Sequence, residues 1–128
     1  MTARFKLAFG VAAGFGLGAL TVHGLHAQVG PPAYVISEIT VTDAEAYNRE
    51  YVPLATRALA ESGQRRLASG GRTVALAGEP PASRIVVSVF ENLEKARAAY
   101  SSPAYLAARE IGDRYGRLRI FAVEGLPQ

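Results

Sequence analysis

"SRIVVSVF", residues 83 to 90, is the clearest strand of the chain, and the rest of the fold reads outward from it. Ile85, Val87 and Val89 alternate as an all-apolar set, which predicts them beneath a helical layer, with Arg84, Val86, Ser88 and Phe90 facing away. Downstream, Asn92 opens a short helix to about Ser101. Ser102-Pro103 then starts another, with serine as the cap and proline at the first helical position, where its missing N–H costs nothing. That helix ends between Gly112 and Gly116, and "RLRIFAVEG" follows as the last strand. Upstream, "AYVISEITV", Ala33 to Val41, is rich in β-branched and aromatic residues and reads as the first strand. Thr42 with Glu45 in "TDAE" predicts a capping box, opening a helix to about Glu61. Tyr47, Tyr51, Leu54, Ala55 and Ala58 form its apolar stripe and are expected to pack, not to react. "RRLASGGRTVALAGEPP" reads as a strand broken at Gly70-Gly71, a pair without the spacing of a phosphate loop. The order is β-α-β-β-α-β, which predicts an α+β fold of ferredoxin-like arrangement, an antiparallel sheet with helices on one face.

Strand alternation then sorts the side chains. Val35, Ser37, Ile39 and Val41 of the first strand, and Leu118, Ile120 and Ala122 of the last, are expected to point inward. Tyr34, Ile36, Glu38 and Thr40, with Arg119, Phe121 and Val123, are expected on the open face. A bare sheet face with that much apolar surface predicts a second copy packed sheet against sheet, a homodimer enclosing a cavity. Tyr34, Glu38, Arg84, Ser88 and Arg119 are the candidate lining of that cavity for a small organic ligand. The arginines suit a carboxylate held by two hydrogen bonds, and Glu38 is the candidate catalytic base if burial raises its pKa. The alternative is a non-catalytic dimeric module, with the same charges paired across strands and the face serving only assembly or a protein partner. On the helix surfaces, Glu110 and Arg114 have the spacing of an ion pair.

Composition narrows the chemistry. The chain has 128 residues, enough for one domain, and no cysteine. Its N-terminus carries Arg4 and Lys6, then an apolar run from Leu7 to Val22, then "LHA" before Gln28, the layout of a secretory signal peptide over residues 1 to 27. The alternative is an uncleaved membrane anchor, for which the run is short of the ~20 residues a spanning helix needs. Either arrangement exports the domain, to the periplasm or beyond the cell. Both histidines, His23 and His26, leave with such a signal, and with them the usual ligands of zinc and haem and the partners of serine or cysteine nucleophiles. No metal and no cofactor is therefore expected. Of the 14 Lys and Arg residues, Arg4 and Lys6 leave too, so that 12 face 11 acidic residues and the net charge falls from +3 to +1, which speaks against a nucleic-acid partner. Residues 28 to 32, "QVGPP", read as a linker, and residues 33 to 125 as the domain.

The strand–Thr42-Asp43–Tyr47 opening, the Gly70-Gly71 pair, Gly78, Arg84 in its strand and Ser102-Pro103-Ala104-Tyr105 together resemble the domain-of-unknown-function 1330 family, DUF1330. The resemblance spans Ala33 to Gly125. It implies a ferredoxin-like domain of the dimeric α/β-barrel superfamily, which includes cofactor-free monooxygenases, isomerases and decarboxylases, although this branch has no established reaction. The chain departs from the family pattern at Ala104 and Leu106, where members often carry Glu and Gln, and in its export signal.

Overall fold

The computed structural model describes residues 30–128; the predicted export signal and both histidines lie outside the described residues. Strand β1 (Ala33–Val41) leads into a helical stretch made of α1 (Ala44–Ala46), a π-helical segment (Tyr47–Tyr51) and α2 (Val52–Glu61). Strands β2 (Arg65–Ser69) and β3 (Arg84–Phe90) follow, then α3 (Leu93–Tyr100), α4 (Pro103–Tyr115) and β4 (Gly116–Glu124). The four strands form one sheet in the order β2-β3-β1-β4, every pairing antiparallel. The fold is α+β and ferredoxin-like, as the order of elements predicts.

The helix starts follow from short polar side chains. Asp43, not Thr42, caps the first helix, its carboxylate accepting from the N–H of Ala46 at 3.1 Å. The N–H of Thr42 donates instead to the carbonyl of Tyr115 at 2.8 Å, which ties the end of β1 to the end of α4 and moves the cap one residue on. Asn92 and Ser102 cap α3 and α4 as expected, accepting from Lys95 N–H at 2.8 Å and Tyr105 N–H at 3.2 Å. The expected Glu110–Arg114 pair is replaced by Arg109–Asp113 at 2.9 Å.

One core joins sheet to helices. Val35 and Ile39 of β1 pack with Tyr47, Tyr51, Ala55 and Leu59, and with Ala96 of α3 and Tyr105 and Ala108 of α4. The faces of β1 and β4 are as alternation predicts. Those of β3 are reversed. Val35 stands opposite Ser88, Ser37 opposite Val86 and Ile39 opposite Arg84, so Arg84, Val86, Ser88 and Phe90 face the helices. Ser88 is 1 % exposed and Phe90 2 %, whereas Ile85, Val87 and Val89 lie on the open face. The reason is that β3 is a central strand, apolar on both sides, and the more apolar side is here the one the helices leave bare.

Candidate ligand site between sheet and helices

The reversal of β3 divides the five residues expected to share a cavity. Glu38 and Arg119 do come together, directly opposite one another on β1 and β4, and form an ion pair on the open face. Tyr34 lies on that face too, its ring against Gly125, where an added Cβ would stand 2.6 Å from the ring edge. Arg84 and Ser88 lie on the other side of the sheet. The Arg84 guanidinium sits 5.9 Å from the ring centre of Tyr47, crosses Gly70 and reaches Ser69 Oγ at 3.4 Å. Ser88 is buried, accepting from Gln64 Nε2 at 3.1 Å.

What gathers under the helices is a set of tyrosines. The π-helical segment presents Tyr47 and Tyr51 side by side, ring centres 5.0 Å apart. The end of α3 and the first turn of α4 present Tyr100 and Tyr105, edge to face at 4.7 Å. The hydroxyls of Tyr51 and Tyr105 meet at 3.4 Å, and that of Tyr100 lies 3.3 Å from Gln64 Nε2. Around them is an inner chamber of about 50 Å³, whose polar walls are these hydroxyls with Ser37, Gln64 and Arg66. A buried phenol needs a partner for its O–H, and here phenols, serines and an amide supply one another.

Tyr100, Tyr105 and Ile120 also form a wall of a second, larger space, a cleft of about 400 Å³ between β4 and the α3–α4 corner. Leu93, Ala96, Leu106 and Ala122 give it apolar sides, and Arg97 and Arg109 bring guanidiniums to it, each beside a carboxylate of its own helix, Glu94 at 3.9 Å and Asp113 at 2.9 Å. Its size is that of a small organic ligand. Leu106 is half exposed, so the cleft has an open mouth.

Burial fixes the protonation of this site. It pushes the Tyr51 phenol well above its ordinary value, reinforced by the neighbouring Tyr105. It pushes Tyr100 up to about 12, again with Tyr105 adding and with hydrogen bonds from Ser37, Ser88 and Gln64 opposing. Tyr105 is raised by the same desolvation, partly offset by Tyr51 and Arg109. At neutral pH these are neutral phenols that donate hydrogen bonds. Among the described residues lining either space there is no His, Cys, Asp or Glu. The lining side chains therefore offer phenol and guanidinium donors, and no carboxylate or imidazole to take a proton.

Tyr47 and Tyr51 were expected to pack on one helix face, but their meeting with Tyr100 and Tyr105 was not expected. Its signal was present: four of the six tyrosines stand on the inward faces of the helices, where leucine would serve a purely apolar core better.

A family model, Domain of unknown function (DUF1330), matches residues 32–126. No protein with a curated description matches the chain. Among solved structures, a protein of unknown function from Rhodopseudomonas palustris superposes with a TM-score of 0.61 at 14 % identity, over 84 % of this chain and 93 % of its own. SnoaB, a cofactor-independent oxygenase from Streptomyces nogalater, gives 0.53 at 12 % identity, over 77 % and 96 %. At these identities the likeness is one of fold.

Proposed function

The chain belongs to the DUF1330 family, and from that premise we propose that it is a homodimeric domain binding a small planar organic molecule, anionic or with a carbonyl group, in the cleft beside Tyr100 and Tyr105. The observation that carries this reading is the pairing of a ligand-sized apolar cleft with Arg97, Arg109 and phenols held neutral. Such a lining accepts a flat apolar body and neutralises an anionic or enolic oxygen. The second copy would cover the open face, where Ile36, Ile85, Val87 and Val89 line up beside the half-exposed Phe121 and Val123. Tyr34, Glu38 and Arg119 then belong to the interface. The tripartite N-terminus supports export, with the domain outside the cytoplasm.

The same fold in SnoaB carries a cofactor-independent oxygenase. In this chain a comparable reaction would rest on the ligand's own acidity, because the site stabilises an anion without supplying the base.

The test is a thermal-shift and calorimetric screen of small aromatic carboxylates, phenols and enolisable ketones against residues 28–128. Hits should lose about 1.5–3 kcal/mol of affinity in Arg109→Ala, the worth of a hydrogen bond to a charged group. They should be displaced altogether by Leu106→Trp, which fills the mouth. Hits that bind both variants as well as the parent would sink the assignment.

A further inference from the structure

Behind the wall that Tyr100 and Tyr105 form for the cleft, the inner chamber reaches the surface at the opposite edge of the sheet. Of the residues around it Arg66 alone is exposed, on β2, the edge strand farthest from β4. Arg66 stands opposite the buried Ser88, so it belongs to the helix side, whereas Arg65, opposite Val89, belongs to the open face. The register shifts between Arg66 and Ala68, a bulge of the kind that re-aims a strand side chain. Arg97 and Arg109 at the cleft each have a carboxylate beside them. Arg66 has none among the described residues.

The hydroxyls give a second, independent sign of a missing acceptor. Tyr51 and Tyr105 face one another at 3.4 Å, and in a bond between two hydroxyls only one of them donates. The proton of the other has no acceptor among the described residues, although Tyr51 is only 6 % exposed and Tyr105 1 %. Gln64 Nε2 directs its N–H groups to Ser88 at 3.1 Å and Tyr100 at 3.3 Å. The chamber is thus rich in donors, carries one unpaired cation and has no carboxylate in its lining. A water molecule needs roughly 10–15 Å³, so a space of about 50 Å³ holds a group of about three to five atoms, the size of a carboxylate. We propose that the inner chamber is a site for a small monovalent oxyanion, bound by Arg66 and by the spare phenol proton of the Tyr51–Tyr105 pair. The oxyanion is either free or the carboxylate of a molecule lying in the cleft, and only the second source rests on the reading of the preceding section.

The probe is sodium formate at neutral pH and constant ionic strength, read by the tyrosine difference absorbance of the purified protein. The parent should give a saturable change, because a buried phenol acquires an anionic acceptor. Arg66→Gln should raise the dissociation constant by about 10-fold or more, as the loss of a charged hydrogen bond does. Arg65→Gln removes the same charge one residue away on the other face and should leave the constant unchanged. Both residues are exposed on an edge strand, so circular dichroism of either variant should match the parent. A parent without a saturable change overturns the site and leaves the chamber to water. Equal effects of the two variants overturn it as well, since they would report only the general attraction of anions to a basic surface. Benzoate then separates the two sources of a site that formate has established. Competition with formate that weakens in Arg66→Gln means the chamber receives the carboxylate of a cleft ligand, and formate binding indifferent to benzoate means it receives free ions. Loss of the chamber site leaves the tests on Arg109 and Leu106 standing.

Discussion

Glu38 and Arg119 are cross-strand partners on the open face, Arg119 on the edge strand β4, the carboxylate accepting from the guanidinium, with Arg119 still 72 % exposed in its side chain. In an isolated copy such a pair contributes only about 0.2–1 kcal/mol. Beneath a second sheet it loses water, and Arg119→Ala then leaves an uncompensated carboxylate. Dimerisation should weaken by about 3–5 kcal/mol in that variant. The melting temperature below the dissociation concentration should hardly move. The exchange Glu38→Arg with Arg119→Glu should recover most of the loss in sedimentation equilibrium. An equal effect on monomer and dimer would show that the pair is not covered.

The tyrosine cluster predicts how stability depends on alkaline pH. Tyr51, Tyr100 and Tyr105 have folded-state pKa values above the 10.0 of a free phenol, chiefly through burial. The native state therefore holds its phenolic protons where the unfolded state has released them. Their contribution is fully present below pH 10 and is lost as pH rises towards about 12, where Tyr100 titrates. Urea midpoints should fall steeply above pH 10. The fall should be shallower in Tyr100→Phe, which has no proton to lose, and tyrosinate absorbance from these sites should appear at higher pH than that of a free phenol.

Gly112 is packed on the ring of Tyr51, and an added Cβ would lie 2.6 Å from it. Gly112→Ala should gain up to about 1 kcal/mol of helix propensity. It should lose about 1–3 kcal/mol to overpacking, for a net destabilisation in denaturant melts. Displacement of Tyr51 should also break its contact with Tyr105, so ligand binding should fall with stability. A stabilised Gly112→Ala would mean the ring moves freely.

Arg84→Ala removes the guanidinium from Tyr47 and Ser69. On the helix side of the sheet this should cost about 0.5–1 kcal/mol, the worth of a partly exposed contact of a cation with an aromatic face. Dimerisation should be unaffected. Loss of the dimer at unchanged melting temperature would restore Arg84 to the open face.

The order of elements, the caps at Asn92 and Ser102 and the faces of β1 and β4 were legible in the sequence, because each rests on local chemistry. The faces of β3 were not. Choosing the most apolar alternate set works when the other side of a strand is polar, and β3 is apolar on both sides. Ser37, already inward on β1, was the usable hint: it stands opposite Val86 and diagonal to Ser88, so the helix side of this sheet is the side with serines. Two of the five expected site residues, Arg84 and Ser88, went with β3 to the helix side. The cleft itself was hidden for another reason. Tyr100 and Tyr105 are five residues apart on different helices, and no sequence periodicity relates them.

The π-helical turn has a bearing on kinship. The N–H of Val52 donates to the carbonyl of Tyr47, so the turn contains one residue more than an α-turn, and Asn48 and Arg49 carry the excess on the solvent side. A relative with one residue fewer between the cap at Asp43 and Val52 would close the same stretch as regular helix, beginning and ending where this one does. The two sequences would then align with a single gap here and in step on either side. Matching them tyrosine for tyrosine across the gap would pair residues that occupy different places in the core.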